Sequence, residues 1–205
     1  FPERAIDRND IKLIDANHWP TILQPRQFEK ITGYGEFPSQ FKLNGDGNYP
    51  YYCNGSLVFT LDGIYIKSEV VWNYESPTGD THYSIIKGSK AHLLILQGRE
   101  QNFQPELYVK PAADVSLQSI GDALNTFIKQ ISDDYPGLSV VNAETQWRID
   151  IPDKYRVGHE AHFGQVADAF LKYLGGEPMP AWEKANMIAK YYLTTSALKM
   201  CREKE

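Results

Sequence analysis

Ser56-Leu57-Val58-Phe59-Thr60-Leu61-Asp62-Gly63-Ile64-Tyr65-Ile66-Lys67-Ser68-Glu69-Val70 decides the fold class of this chain. Two runs rich in β-branched and aromatic residues flank Asp62-Gly63, a dipeptide that tolerates positive φ at both positions and so closes a two-residue hairpin. Working outward, Asn54-Gly55 gives a second hairpin signal and separates Tyr51–Cys53 from Ser56–Leu61. The strand after Asp62-Gly63 is expected to continue from Ile64 to Tyr74. The turn Pro77-Thr78-Gly79-Asp80 then leads into Thr81–Lys87, the Gly88-Ser89 turn, Ala91–Gln97, a polar loop, and Glu106–Lys110 ended by Pro111. Strands joined by such short turns must be antiparallel, because parallel neighbours need long crossovers.

Upstream, Ile11–Ile14 reads as a short strand. Pro25 opens a short helix over Arg26–Thr32, for which Gly33 is the stop. Residues 34–50 carry three Gly and two Pro and read as a loop. Downstream the period changes. Leu117, Ile120, Leu124, Phe127, Ile128 and Ile131 recur at helical spacing, before Pro136-Gly137. Two further strands, Leu138–Asn142 and Trp147–Ile151, precede a second apolar stripe at Phe163, Val166, Phe170 and Leu174. Gly175-Gly176 stops it, and Pro180 opens a last helix through Trp182, Ala185, Ala189, Leu193 and Met200. Strands first and helices later predict an α+β fold: an open, mostly antiparallel sheet with helices packed on one face. The other face must then meet solvent or a partner, and along Ile64–Tyr74 it is mixed polar (Tyr65, Lys67, Glu69, Val71, Asn73), so self-association through it is an expectation.

At 205 residues and 42% hydrophobic, the chain can bury a substantial core. Its net charge of −5, with Lys and Arg scattered among acids, excludes the clustered basic surface that nucleic acid requires. No apolar stretch reaches the roughly 20 residues that cross a bilayer. Cys53 and Cys201 lack a metal spacing and read as free, buried or half-buried thiols. Dinucleotide, triphosphate and nucleophile-elbow motifs (Gly-x-Gly-x-x-Gly, Gly-x-x-x-x-Gly-Lys-Ser/Thr, Gly-x-Ser-x-Gly) are all absent from the sequence. No cofactor is therefore expected to be held by this chain.

The best chemical cluster is Gly158-His159-Glu160-Ala161-His162. His159 and His162 stand three apart, near one helical face. A zinc-protease helix needs histidines four apart, so no metal is expected. Two readings remain: a histidine packed at the helix N-terminus, or polar contact and proton transfer in a substrate pocket by His159, Glu160 or His162, since imidazole titrates near neutrality. Asp80 and His82 share one strand face; they form either an acid–base unit or an edge-of-sheet hydrogen-bond network. Trp72 and Trp147 are simplest as core or sheet-covering aromatics, with a sugar platform as the weaker reading.

A set of short motifs in order carries a family resemblance. They are Asn17-His18-Trp19-Pro20-Thr21, Gln27-Phe28-x-Lys30-x-Thr32-Gly33, Val71-Trp72-Asn73-Tyr74-Glu75, Gly79-Asp80-Thr81-His82-Tyr83-Ser84, Gly88-Ser89-Lys90-Ala91, Gly158-His159-Glu160-x-His162-Phe163 and Trp182-Glu183-x-x-Asn186-Met187-x-x-Lys190-Tyr191-Tyr192. Together they resemble the C-terminal domain of a bacterial branch of the glucose-fructose oxidoreductase, inositol dehydrogenase and MocA superfamily, over nearly the whole chain. The resemblance implies that residues 1–205 are a substrate and oligomerisation domain, preceded in the same polypeptide by a Rossmann domain that binds NAD or NADP. It implies a small sugar or polyol substrate, a homo-oligomer through the open sheet face, and a pocket wall that includes His159, Glu160 and His162. Alternatives are part of an NAD-dependent glycosidase of the same superfamily and a stand-alone carbohydrate-binding or structural module. Neither nucleic acid nor membrane is an expected partner, and the compartment stays open.

Overall fold

The computed structural model describes residues 4–76 and 78–204. Pro77, expected to open the turn before Gly79, lies outside the described residues. The chain clusters into two compact units, residues 1–75 with 173–205 and residues 76–172. The α+β class holds, with antiparallel open sheets; the strands divide between two sheets rather than forming one.

In the first unit, β1 (Ile11–Leu23), β2 (Tyr49–Leu61) and β3 (Ile64–Val70) form a sheet in that order, with α1 (Pro25–Thr32) between β1 and β2. Asp62 and Gly63 take φ of 51° and 79° and close the β2–β3 hairpin, with Leu61 opposite Ile64. Gly33 ends α1 at φ 78°. Asn54-Gly55 is not a hairpin, because β2 runs straight through it. Neither residue has positive φ, and Asn54 is only 5% exposed. The register against β1 slips at this point, with Trp19 opposite Asn54 and Pro20 opposite Tyr52, leaving Cys53 as the extra residue of a bulge. A bulge suits Pro20, which has no N–H to give the ladder.

The Asn54 side chain fills the gap. Its amide donates to Trp19 O (3.2 Å) and Thr21 Oγ1 (3.0 Å), and its oxygen accepts from Trp72 N at 2.6 Å. The Thr21 hydroxyl donates to Trp72 O. These side-chain bonds replace ladder bonds around Trp72, so β3 ends at Val70 rather than Tyr74. Tyr74 turns away at φ 72°.

α4 (Ala181–Arg202) packs on β1. Ala16, Ala197 and Cys201 form the small core between them, joined by Leu13, Leu57 and Met200. Past its end, the Lys204 ammonium donates to Asp15 Oδ1 (2.6 Å), Ala16 O (2.7 Å) and Asn17 Oδ1 (3.2 Å). That hydrogen bond holds the exposed Asp15 carboxyl below its ordinary range. Cys53 and Cys201 are free thiols.

The second unit holds β4 (His82–Lys87), β5 (Ala91–Gln97), β6 (Glu106–Pro111), β7 (Ser139–Ala143) and β8 (Gln146–Asp150), ordered β4-β5-β6-β8-β7. α2 (Leu117–Gln130) begins at Ser116, whose hydroxyl accepts from Ser119 N at 3.1 Å. It packs on β6 and β7. Val109, Ile120 and Ile149 are the buried centre, flanked by Leu107, Leu124, Val140 and Trp147. Trp147 donates to Leu117 O (2.8 Å), and its ring lies against Gly121, where only a residue without Cβ fits. On the same sheet face Ile86, Leu93 and Ile95 stay 38–64% exposed. α3 (His159–Leu174) spans the boundary between the units. Its expected core stripe is not buried: Phe163, Val166, Phe170 and Leu174 are each more than 60% exposed.

Candidate functional site at the start of α3

The polar cluster on α3 is positioned from the segment that precedes it. β8 ends at Asp150, Pro152 introduces a single 3₁₀ turn at Asp153–Tyr155, and Tyr155 donates its hydroxyl to Pro136 O at 3.2 Å. Arg156 then anchors the strand-to-helix connection. Its guanidinium donates to Ile151 O (3.3 Å), Pro105 O (2.8 Å) and Glu106 Oε1 (3.1 Å). Arg148, on β8 beside β6, reaches Glu106 Oε2 at 3.5 Å and Asp150 Oδ1 at 3.3 Å. The Glu106 side chain is 13% exposed and that of Arg156 21%, so this pair is largely desolvated. A planar guanidinium satisfies three acceptors in one plane, which a lysine does not.

Three residues on, His159 starts α3, and His162 N donates to Gly158 O at 3.2 Å. His159, Glu160 and His162 are all exposed. The His159 ring stands edge-on to Phe163, with centroids 4.8 Å apart. A negative Glu160 in the first turn complements the helix dipole. No hydrogen bond or ion pair joins the three among the described residues.

His82 opens β4, an edge strand of the same unit, whereas Asp80 lies two residues before it, outside the strand, so the two do not share a strand face as expected. His82 Nε2 is 3.1 Å from Ser84 Oγ, and the Asp80 carbonyl accepts from Gln97 Nε2 at 3.1 Å. The two side chains are not bonded to each other, and no bond links them to the α3 cluster among the described residues. The sequence reading missed Glu106, Arg148 and Arg156 because their pairing spans about fifty positions. No local period signals it.

The first unit carries a separate aromatic strip. Phe28, Phe37, Phe41, Tyr49, Tyr51, Trp72 and Tyr74 touch in succession with ring centroids 4.4–6.4 Å apart. Trp72, expected to cover a sheet, is half-buried within it. Lys30 and Glu75 pair beside it at 2.8 Å, and the hydrogen bond that the Lys30 ammonium donates to the Glu75 carboxylate raises the Lys30 pKa. An open depression of about 480 Å³ lies elsewhere in this unit, between Asp7-Arg8 and Ala185-Ile188, and contains none of the candidate residues. Among the described residues no three His, Cys, Asp or Glu side chains group as metal ligands. No helix among them is long and apolar enough to cross a membrane.

Comparison with known proteins adds the following. A family model described as "Putative oxidoreductase C terminal domain" matches residues 1–202. A solved structure, described as a putative oxidoreductase from Parabacteroides merdae, is similar at 46% identity with a TM-score of 0.94. The match covers 100% of this chain and 48% of that one, so this chain spans about half the length of its relative. No curated protein matches.

Proposed function

This chain belongs to that family of oxidoreductase C-terminal domains, and on that premise we propose that it is the substrate-binding and oligomerisation domain of an NAD(P)-dependent oxidoreductase acting on a sugar or polyol. The observation that carries the reading is the match of 202 of its residues to a domain model, together with a relative twice as long. Cofactor binding and hydride transfer then belong to a Rossmann half of the same polypeptide, placed ahead of this one.

In this reading His159, Glu160 and His162 meet the hydroxyls of the substrate. An imidazole that can both donate and accept suits a CH–OH group, from which a proton must leave as hydride departs. The Arg156–Glu106–Arg148 anchor fixes where α3 starts, and so where those groups stand. Asp80 and His82 supply further polar contacts. For oligomerisation, the sheet face opposite α2 in the second unit carries Ile85, Leu94, Leu96 and Tyr108 beside the half-buried Arg148, a mixture suited to a partner subunit.

Steady-state kinetics of the longer polypeptide on sugars and polyols test the assignment. His159→Ala, Glu160→Gln and His162→Ala should lower kcat/KM, with a loss of about 10²–10⁴ in kcat for a proton-transfer residue and a rise in KM alone for a contact residue. Unchanged kinetics in all three variants would remove the α3 cluster from the site. The half-exposed Tyr51–Trp72–Tyr74 strip favours a second reading, a saccharide-binding module. That reading requires saccharide affinity that falls with Trp72→Ala and is indifferent to His159→Ala.

A further inference from the structure

Lys87, His92 and Lys110 stand directly opposite one another on β4, β5 and β6, and so form one row on the sheet face away from α2. Beside this row, Ser89 and Lys90 make the tip of the β4–β5 hairpin, and Ala112 N ties the tip to the end of β6 by donating to Lys90 O at 2.9 Å. Gly88 fixes the turn, since a Cβ there would lie 2.8 Å from Ala91 O. We infer that this row and tip bind a tetrahedral dianion, inorganic phosphate or a phosphate monoester, at a site distinct from the polar groups at the other end of β4.

The charge pattern is the first support. In a chain of net charge −5, residues 81–98 contain no Asp or Glu. Lys30, Lys67, Lys199 and Lys204 each have a carboxylate partner, whereas Lys87, Lys90 and Lys110 have none among the described residues. Asp114, past the end of β6, and Glu144, in the β7–β8 turn, make no ion pair with them either. Like charges gathered on neighbouring strands are unfavourable until something neutralises them. Geometry is the second. Lys87 and Lys110 are two strand spacings apart, about 10 Å, so two flexible four-carbon stems can converge on one anion above the imidazole between them. The third is His92 itself, whose Nδ1 is buried with no hydrogen-bond partner. Of its two neutral tautomers, the one with the proton on Nε2 leaves no buried N–H without an acceptor, and it makes Nε2 a donor in line with the two ammoniums. Ser89 adds a hydroxyl, so the cluster offers donors and cations with no acid to compete. His82 and Lys87 are the two ends of β4, about 17 Å apart at the strand rise, which is longer than a hexose phosphate. The site therefore takes its own ligand and does not rest on the proposed function.

Titration of inorganic phosphate and of glycerol phosphate into the longer polypeptide, free of nicotinamide, tests the site by calorimetry and by the imidazole resonances of His92. Binding should saturate below about 10 mM at low ionic strength and move the His92 resonances. Lys87→Ala and Lys110→Ala should each weaken it about tenfold or more, while Lys129→Ala, at an exposed position on α2, leaves it unchanged. Sulfate should compete, and chloride at equal ionic strength should not. Glycerol phosphate bound more tightly than phosphate makes the ligand a monoester, and equal affinity makes it the free ion; both uphold the site. Undiminished binding in the Lys87→Ala/Lys110→Ala double variant, or unmoved His92 resonances, overturns it. So does an adventitious ion only, recognised by displacement with equal chloride. Affinity that falls as protein concentration rises also overturns it, because acidic groups of a second copy then neutralise the lysines.

Discussion

Replacing Arg156 with alanine tests whether the start of α3 is held by one guanidinium. The substitution removes three hydrogen bonds, to Ile151 O, Pro105 O and Glu106 Oε1. It leaves Glu106, 13% exposed, with only the longer 3.5 Å contact to Arg148. Hydrogen bonds to a charged partner contribute about 1.5–3 kcal/mol, and breaking a fully buried pair costs about 3–5. Because both side chains keep some exposure and Glu106 retains a second cation, we expect Arg156→Ala to destabilise the second unit by about 2–4 kcal/mol. Arg156→Lys keeps the charge but loses the fork, and should recover only part of the loss. A double-mutant cycle with Glu106→Gln, read by urea denaturation, should give a coupling of about 1–2 kcal/mol. Amide exchange at His162, whose N–H is bonded to Gly158 O, should quicken in Arg156→Ala. A loss below about 0.5 kcal/mol, in the range of an ordinary surface change, or full rescue by lysine, would refute the anchor.

Other consequences are equally specific. Gly121→Ala places a Cβ 2.3 Å from Trp147 Cζ2; overpacking of about 1–3 kcal/mol should outweigh the roughly 1 kcal/mol gained in helix propensity, and a raised melting temperature would contradict the close approach. Asn54→Ala strips partners from Trp19 O, Thr21 Oγ1 and Trp72 N, and should cost about 2–4 kcal/mol in urea unfolding, whereas a turn residue would cost almost nothing. Asp15, depressed by Lys204, contributes stability that is present above the unfolded carboxyl range and is lost as pH falls through the lower folded value. Lys204→Met should therefore move the Asp15 titration upward when followed by NMR, and an unmoved titration would break that link.

Much of the fold was legible because its signals are local. Asp62-Gly63 closes the expected hairpin, Gly33 stops α1, and the strand expected over Ala91–Gln97 has the bounds of β5. Asn54-Gly55 misled because a turn signal describes backbone freedom, whereas the buried Asn54 amide is held by residues 18 to 35 positions away. Two sheets were read as one because strand periodicity carries no information on which strands pair. The α3 stripe was legible as a helix but not as an exposed one, since periodicity marks a face that seeks burial without naming what buries it. Within the candidate site, the first-turn residues of α3 could be read from the sequence. The arginine and glutamate that position them could not, because an ion pair fifty residues apart leaves no pattern along the chain.

The most direct measurement of the central claim, that this chain is the substrate half and the cofactor is held elsewhere, is calorimetric titration of NAD and NADP into two samples. One is the 205-residue chain alone; the other is the longer polypeptide that contains it. The account expects no measurable heat with the chain alone and a nicotinamide site of about micromolar affinity in the longer protein. A site of that affinity on the 205 residues by themselves would contradict it.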